Sequence, residues 1–229
     1  MDDMTAERTQ RVAARIAGFL FLWLIVTGVA GMLTISHVAG SGSFAEQAKR
    51  VAASQLLYRA GLVFELVEVL STVPLAFALY VTLEPVDELL ARLAMYFRFG
   101  ETFVGAAGMI AGFVKLQLYV SGTDQAQALM PAARQAGVAA YNVSAIFFSL
   151  GSLLFCRLFL RSGYIPKSLS ALGVFASAVV TVMCLGTLLL PEHASTFQYG
   201  WAPMAIAEVV TGVWLMLFAV KTRPPVSAA

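Results

Sequence analysis

Six apolar stretches, each long enough to cross a bilayer, constrain this chain more than any other feature. A span needs about 20 apolar residues to cross roughly 30 Å of hydrocarbon. The stretches run from about Ile16 to Ile35, Leu56 to Leu83, Leu89 to Val120, Ala139 to Leu160, Ile165 to Leu190 and Trp201 to Val220. Charged residues make up only 12% of the 229 residues, against about 25% in soluble domains. Mean hydropathy is +0.81. So little polar surface cannot cover a soluble domain. The sequence therefore predicts an all-α, polytopic membrane helix bundle of six transmembrane helices, forming one transmembrane domain over residues 1–229. The first stretch follows Arg8, Arg11 and Arg15. Its apolar run exceeds that of a signal peptide, so it reads as an uncleaved anchor.

Basic residues set the expected orientation. With the N-terminus inside, Arg8, Arg11, Arg15, Arg92, Arg157, Arg161, Lys167, Lys221 and Arg223 fall on the cytoplasmic side. Lys49, Arg50, Arg59 and Arg134 fall outside. This excess predicts both termini in the cytoplasm of a multi-pass protein of the bacterial inner membrane. The inner connections are short, Glu84 to Glu88 and Arg161 to Tyr164. Longer outer ones cover Ser36 to Gln55, with a short surface helix in it, Ser121 to Gly137 with Pro131, and Pro191 to Gly200. Pro74 should kink the second span. Pro166 and Pro203 sit in first turns, where proline is tolerated.

The partners this implies are the lipid bilayer and either a protein of a membrane complex or a second copy of the chain. No basic tract is interleaved with aromatics, so nucleic acid is set aside. Cys156 and Cys184 lie in apolar runs at different depths, share no metal-type spacing, and read as small buried residues. His37 and His193 sit at outer ends of spans, where histidine is usually solvated. No histidine stands at metal-binding spacing, so no metal ligand is assigned, and no cofactor fingerprint is present. No internal repeat of the transporter kind is visible.

Ionisable groups inside a span cost roughly 2.5–3.5 kcal/mol each at its centre. This chain has several: Glu65 and Glu68 in the second span, Arg98, Glu101 and Lys115 in the third, and Glu208 in the sixth. On a helical projection Arg98, Glu101, Gly105, Gly108, Gly112 and Lys115 share one stripe, about 25 Å long from Arg98 to Lys115. Gly108 and Gly112 form a G-x-x-x-G pair, and Gly105 extends it, so a neighbouring helix can approach closely. The third span is therefore expected at the bundle centre. Glu65 and Glu68 share a face at i, i+3. By depth, Glu65, Glu68, Glu208 and Lys115 can meet in the outer half, with Asn142 entering from the fourth span and Glu101 near the midplane.

Three readings of this polar pocket stand. In one it is structural, with Glu101 paired to Arg98 and Lys115 to Glu65 or Glu68. In another it handles a small molecule, ion, proton or lipid, because crowded carboxylates exchange protons. In the third it holds a divalent metal, which no residue spacing supports. The chain is accordingly read as a membrane protein of unassigned activity. The alternatives are an accessory or assembly subunit, or, more weakly, a membrane-embedded enzyme for which no nucleophile can be named.

Residues 147–176 read FFSLGSLLFCRLFLRSGYIPKSLSALGVFA. An arginine-serine-glycine turn, two residues and then a proline, here Arg161 to Pro166, resembles the late signature of the bacterial "domain of unknown function 4386" membrane family. Arg15 to Gly18, Arg98 to Glu101 and Glu208 to Leu215 are similar to further pieces of it. The resemblance implies the six-helix layout and points to Arg98, Glu101 and Glu208. It implies no substrate and no reaction. Independently of it, Gly163 is placed to end one helix in a left-handed conformation. Arg157, Arg161 and Lys167 then flank the turn as inside anchors, or as contacts for anionic headgroups.

Overall fold

The computed structural model describes residues 3–220. Lys221 and Arg223, two of the inner-side cations counted above, lie outside them. Eight helices follow one another: α1 (Asp3–Ala39), α2 (Phe44–Ala53), α3 (Gln55–Leu83), α4 (Glu88–Ser121), α5 (Asp124–Ser162), α6 (Lys167–Leu189), α7 (Ala194–Phe197) and α8 (Trp201–Phe218). Of these, α1, α3, α4, α5, α6 and α8 are long and apolar enough to cross a membrane. Their outward faces carry bare apolar side chains such as Val26, Phe103 and Val182, each more than 60% exposed. Such surfaces belong in lipid, so the chain is a multi-pass membrane protein.

The six long helices form a ring. Neighbours in sequence are neighbours in space, α1 on α3, α3 on α4, α4 on α5, α5 on α6 and α6 on α8, and α8 closes back on α1. The expectation that the third span lies at the centre is overturned. Helix α4 packs on α3 and α5 within the ring, and only 11% of its most apolar stretch is buried, the smallest share of the six. Its glycines serve two neighbours instead of one central contact. A Cβ on Gly108 would meet Ala140 of α5, and one on Gly112 would meet Leu62 of α3.

Ring closure depends on a backbone-to-backbone approach. A Cβ on Gly18 of α1 would come within 2.6 Å of the Gly212 carbonyl oxygen of α8, and Gly212 in turn sits against Phe21 and the Gly18 carbonyl. Only glycine allows this distance.

The connection read as Ser121 to Gly137 is a second correction. Gly122 ends α4 with φ +60°. Thr123 then caps a new helix at once, accepting from the Ala126 N–H at 3.2 Å. Alanine-rich sequence favours helix, and Ala126 and Met130 are buried one turn apart. Pro131 costs one backbone hydrogen bond in α5 but does not end it. Pro166 serves as the N-cap of α6 and not in its first turn, while Gly163, at φ +67°, ends α5 as anticipated.

Two apolar plugs close the ring's ends. At the end bearing the 84–88 connection, Leu79, Leu83, Phe155, Phe159 and Leu215 pack with Ala14 and Ala17. At the other end, α2 lies across Tyr58, Leu62, Leu116 and Tyr119. A capping box between Ser43 and Glu46 starts α2. Arg50 donates to the Ala39 and Ser41 carbonyls, fixing the entry to it. Arg134 donates to both Gln47 and the Tyr119 hydroxyl at 3.0 Å, tying α2 to α4 and α5. Polar residues lie between the plugs.

At the first plug Asp87 caps α4 through Leu90 N–H and pairs with Arg161 at 2.9 Å. The Leu90 N–H first, and the Arg161 guanidinium second, hold its carboxyl below the ordinary aspartate value. A lowered folded-state pKa means the stabilisation is present above about pH 4 and lost as pH falls further. The thermal midpoint in detergent should thus drop between about pH 5 and 3, and less steeply in Asp87→Asn. Separately, Gly18→Ala should lower stability by about 1–3 kcal/mol, because backbone cannot yield. Unfolding in detergent measures this, and a midpoint unchanged from wild type would contradict the α1–α8 packing.

Candidate functional site

Between the plugs the charged side chains are held on three helices. Arg98 is the anchor. It is only 3% exposed. Its stem lies against Gly151 of α5, where a Cβ would meet the Arg98 side chain at 3.0 Å. Its Nε is 3.1 Å from Oε2 of Glu101, one turn along α4. Both atoms are shielded from solvent, and the pair is not aligned as a hydrogen bond. Nη1 donates to Ser152 Oγ at 3.3 Å. The guanidinium carbon stands 4.7 Å from the centre of the Phe148 ring. A buried cation is thus met by an anion, a hydroxyl and an aromatic face, as its desolvation requires.

Two more carboxylates lie around this pair. Glu68 of α3 and Glu208 of α8 are within electrostatic range of Arg98 and of each other, and both also act on Glu101. Neither makes a hydrogen bond or close ion pair among the described residues. Glu68 lies against Gly28 of α1, where a Cβ would meet its carboxyl carbon at 3.2 Å. Three carboxylates from three helices therefore lie within electrostatic range of one guanidinium. Thr102 and Ser144, also buried beside this group, bond to the carbonyls of Arg98 and Glu101.

The six residues assigned to one pocket divide into two levels. Arg98, Glu101, Glu68 and Glu208 form the group just described. Glu65 and Lys115 lie further toward α2, although Glu65 still acts electrostatically on Glu68, one turn along α3. Glu65 packs on Gly31 of α1. Lys115 acts on Glu65 electrostatically but forms no ion pair with Glu65 or Glu68 among the described residues. The expected Lys115 pairing is therefore corrected, since α4 presents Leu116 and Gly112 to α3 at this depth. Asn142 bonds to Val138 of its own helix and does not reach the group. Gly105 makes room for Ser144 and Val69. Both cysteines are free thiols. His37 and His193 are exposed, as read, and His193 meets only Glu192 as an ion partner. Among the described residues no group of three histidine, cysteine, aspartate or glutamate side chains is placed to hold a metal.

A narrow cavity of about 30 Å³ runs beside the group at the axis of the ring. Every span lines it, through Phe21, Leu79, Arg98, Phe155, Gly173 and Glu208. Its size admits about one water-sized group. Phe148, Gly151 and Ser152 were not singled out in the sequence. Their spacing on one face of α5 was readable, but nothing local marked that face as the seat of Arg98.

A closed ring of six apolar helices around a buried charge group defines a polytopic helical membrane protein. The family model described as "Domain of unknown function (DUF4386)" matches residues 16–219, and the chain belongs to that family. No curated protein and no solved structure matches it.

The Arg98–Glu101 pair can be probed directly. Arg98→Met leaves Glu101 without its cation and should cost about 3–5 kcal/mol, whereas Glu101→Leu alone should cost less, because Glu68 and Glu208 remain within range of Arg98. The double variant should regain part of the loss of Arg98→Met. A double-mutant cycle on unfolding in detergent reads the coupling, and simple additivity would mean that the two side chains act independently.

Proposed function

We propose that this chain takes up and releases a cation, in the first place a proton, at the intramembrane group of Glu68, Glu101 and Glu208 around Arg98. One observation carries the reading: Glu101 takes up the contact with the Arg98 guanidinium, while Glu68 and Glu208, within its electrostatic range, have no ion partner among the described residues. Uncompensated charge at bilayer depth is too costly to leave bare. A proton or a small cation removes that cost, and loss of it restores the charge, which is the cycle that a proton- or ion-handling protein needs. The polar level that contains Glu65 and Lys115 lies toward α2, which favours exchange with that side. Arg8, Arg11, Arg15, Arg92, Arg157, Arg161 and Lys167 at the opposite end support the α2 side as the outer one by the positive-inside rule, in keeping with a place in the bacterial inner membrane.

The competing reading is an accessory subunit whose charges only cross-link helices. The full engagement of Arg98 by Glu101, Ser152 and Phe148 favours it. Infrared difference spectroscopy of the protein in lipid separates the two. The cation reading expects carboxyl C=O bands that titrate within about pH 4–10 and shrink in Glu68→Gln and Glu208→Gln. If neither substitution removes a titrating carboxyl band, only the structural role is left.

A further inference from the structure

The axial cavity has a chemistry beyond charge. Phe21 from α1 and Phe155 and Phe159 from α5 give it aromatic walls, and Glu208 from α8 is its one carboxylate. Arg98, the only cation lining it, is already met by Glu101, Ser152 and Phe148. Glu208 has no hydrogen bond or close ion partner among the described residues, and Glu68 adds a second negative charge within range. Carboxylate plus ring faces in an apolar enclosure is the combination that recognises an organic cation. Arg98 illustrates the principle within this chain, held between a carboxylate and a phenylalanine ring.

Size narrows the ligand. The cavity of about 30 Å³ admits one water-sized group, which is the size of an ammonium head and not of a bulky quaternary one. Glu208 is half-buried, and Ala205 and Val209, which flank it on one side of α8, are exposed on the outer surface of the ring, Val209 by 40%. A chain attached to the head therefore has an apolar way out beside Glu208.

We propose that the axial cavity is a binding site for a lipophilic primary amine, its ammonium head against Glu208 and among the phenylalanine rings, its alkyl chain leading along α8 into the bilayer. The proposal rests on the reading of the carboxylate group as a cation site and names a ligand class for it.

The test compares hexylammonium, hexanol and hexanoate on the purified full chain in detergent, read as concentration-dependent shifts of the thermal unfolding midpoint. A ligand that binds only the folded state raises the midpoint. Hexylammonium should do so, and hexanol and hexanoate at equal concentration should not. Glu208→Gln should weaken the apparent Kd for hexylammonium about tenfold, with Glu208→Asp recovering part of it. Hexanol matching hexylammonium would overturn the site, since apolar partitioning would then suffice. So would a Glu208→Gln protein that binds as tightly as wild type. If that variant does not fold, the order of the three probes on the wild-type chain decides. Should the bands assigned to Glu68 and Glu208 titrate while hexylammonium fails, the amine site falls and proton exchange stands. Hexylammonium binding with no titrating band assigned to either residue would instead retain the amine site and remove the proton.

Discussion

A guanidinium cannot sit in hydrocarbon alone, and the layout of this protein follows from that. Arg98 is 3% exposed in the middle of a helix whose outer face is bare to lipid. Its charge has to be met from inside the ring. Glu101 meets it along α4, and Ser152 and Phe148 meet it from α5. Gly151 supplies the room, because any larger residue would strike the arginine stem. The register of α4 against α5 is thereby tied to the position of one charge. Glu68 and Glu208 then bring α3 and α8 into the same electrostatic group.

The two apolar plugs give this group its setting. They confine polarity to a middle layer and leave the ring closed at both ends. Helix α2 is part of one plug and is held by polar contacts of modest strength, Arg134 to Gln47 and Tyr119, and Arg50 to the end of α1. The other plug is sewn by Asp87, which uses its two carboxylate oxygens for two different jobs, capping α4 and pairing with Arg161.

Much of this was legible in the residues. Apolar length alone gives six helices, four of them within two residues of their observed ends, while α1 and α5 start well before the apolar runs that marked them, and proline and glycine mark the α5–α6 turn. The start of α5 was misread because Pro131 and the polar residues around it look like a loop. The Thr123 cap and the run of alanines decided otherwise. The charged residues of the site were readable because charge inside a span is rare. Their grouping was not, because helical phase tells which residues share a face of one helix and not which helix comes to meet them. That is why α4 was expected at the centre. A glycine stripe reports close approach, and two neighbours sharing it look the same in sequence as one. Lys115 was similarly kept from an ion pair with Glu65 or Glu68 by packing that only the ring determines, while Glu65 still acts on Glu68.

The glycine contact between α1 and α8 has a consequence for how the molecule is made. Gly18 and Gly212 stand at opposite ends of the chain, so the seam between them is the contact of longest sequence separation in the ring. During synthesis α1 enters the bilayer with its Gly18 face uncovered, and it stays so until α8 emerges. For that interval the five earlier spans form an open arc, with Glu68 already in place and Glu208 not yet made. The charge group is therefore completed only when α8 joins the ring, and a chain stalled before it would expose an acidic, glycine-lined edge to whatever else occupies the membrane.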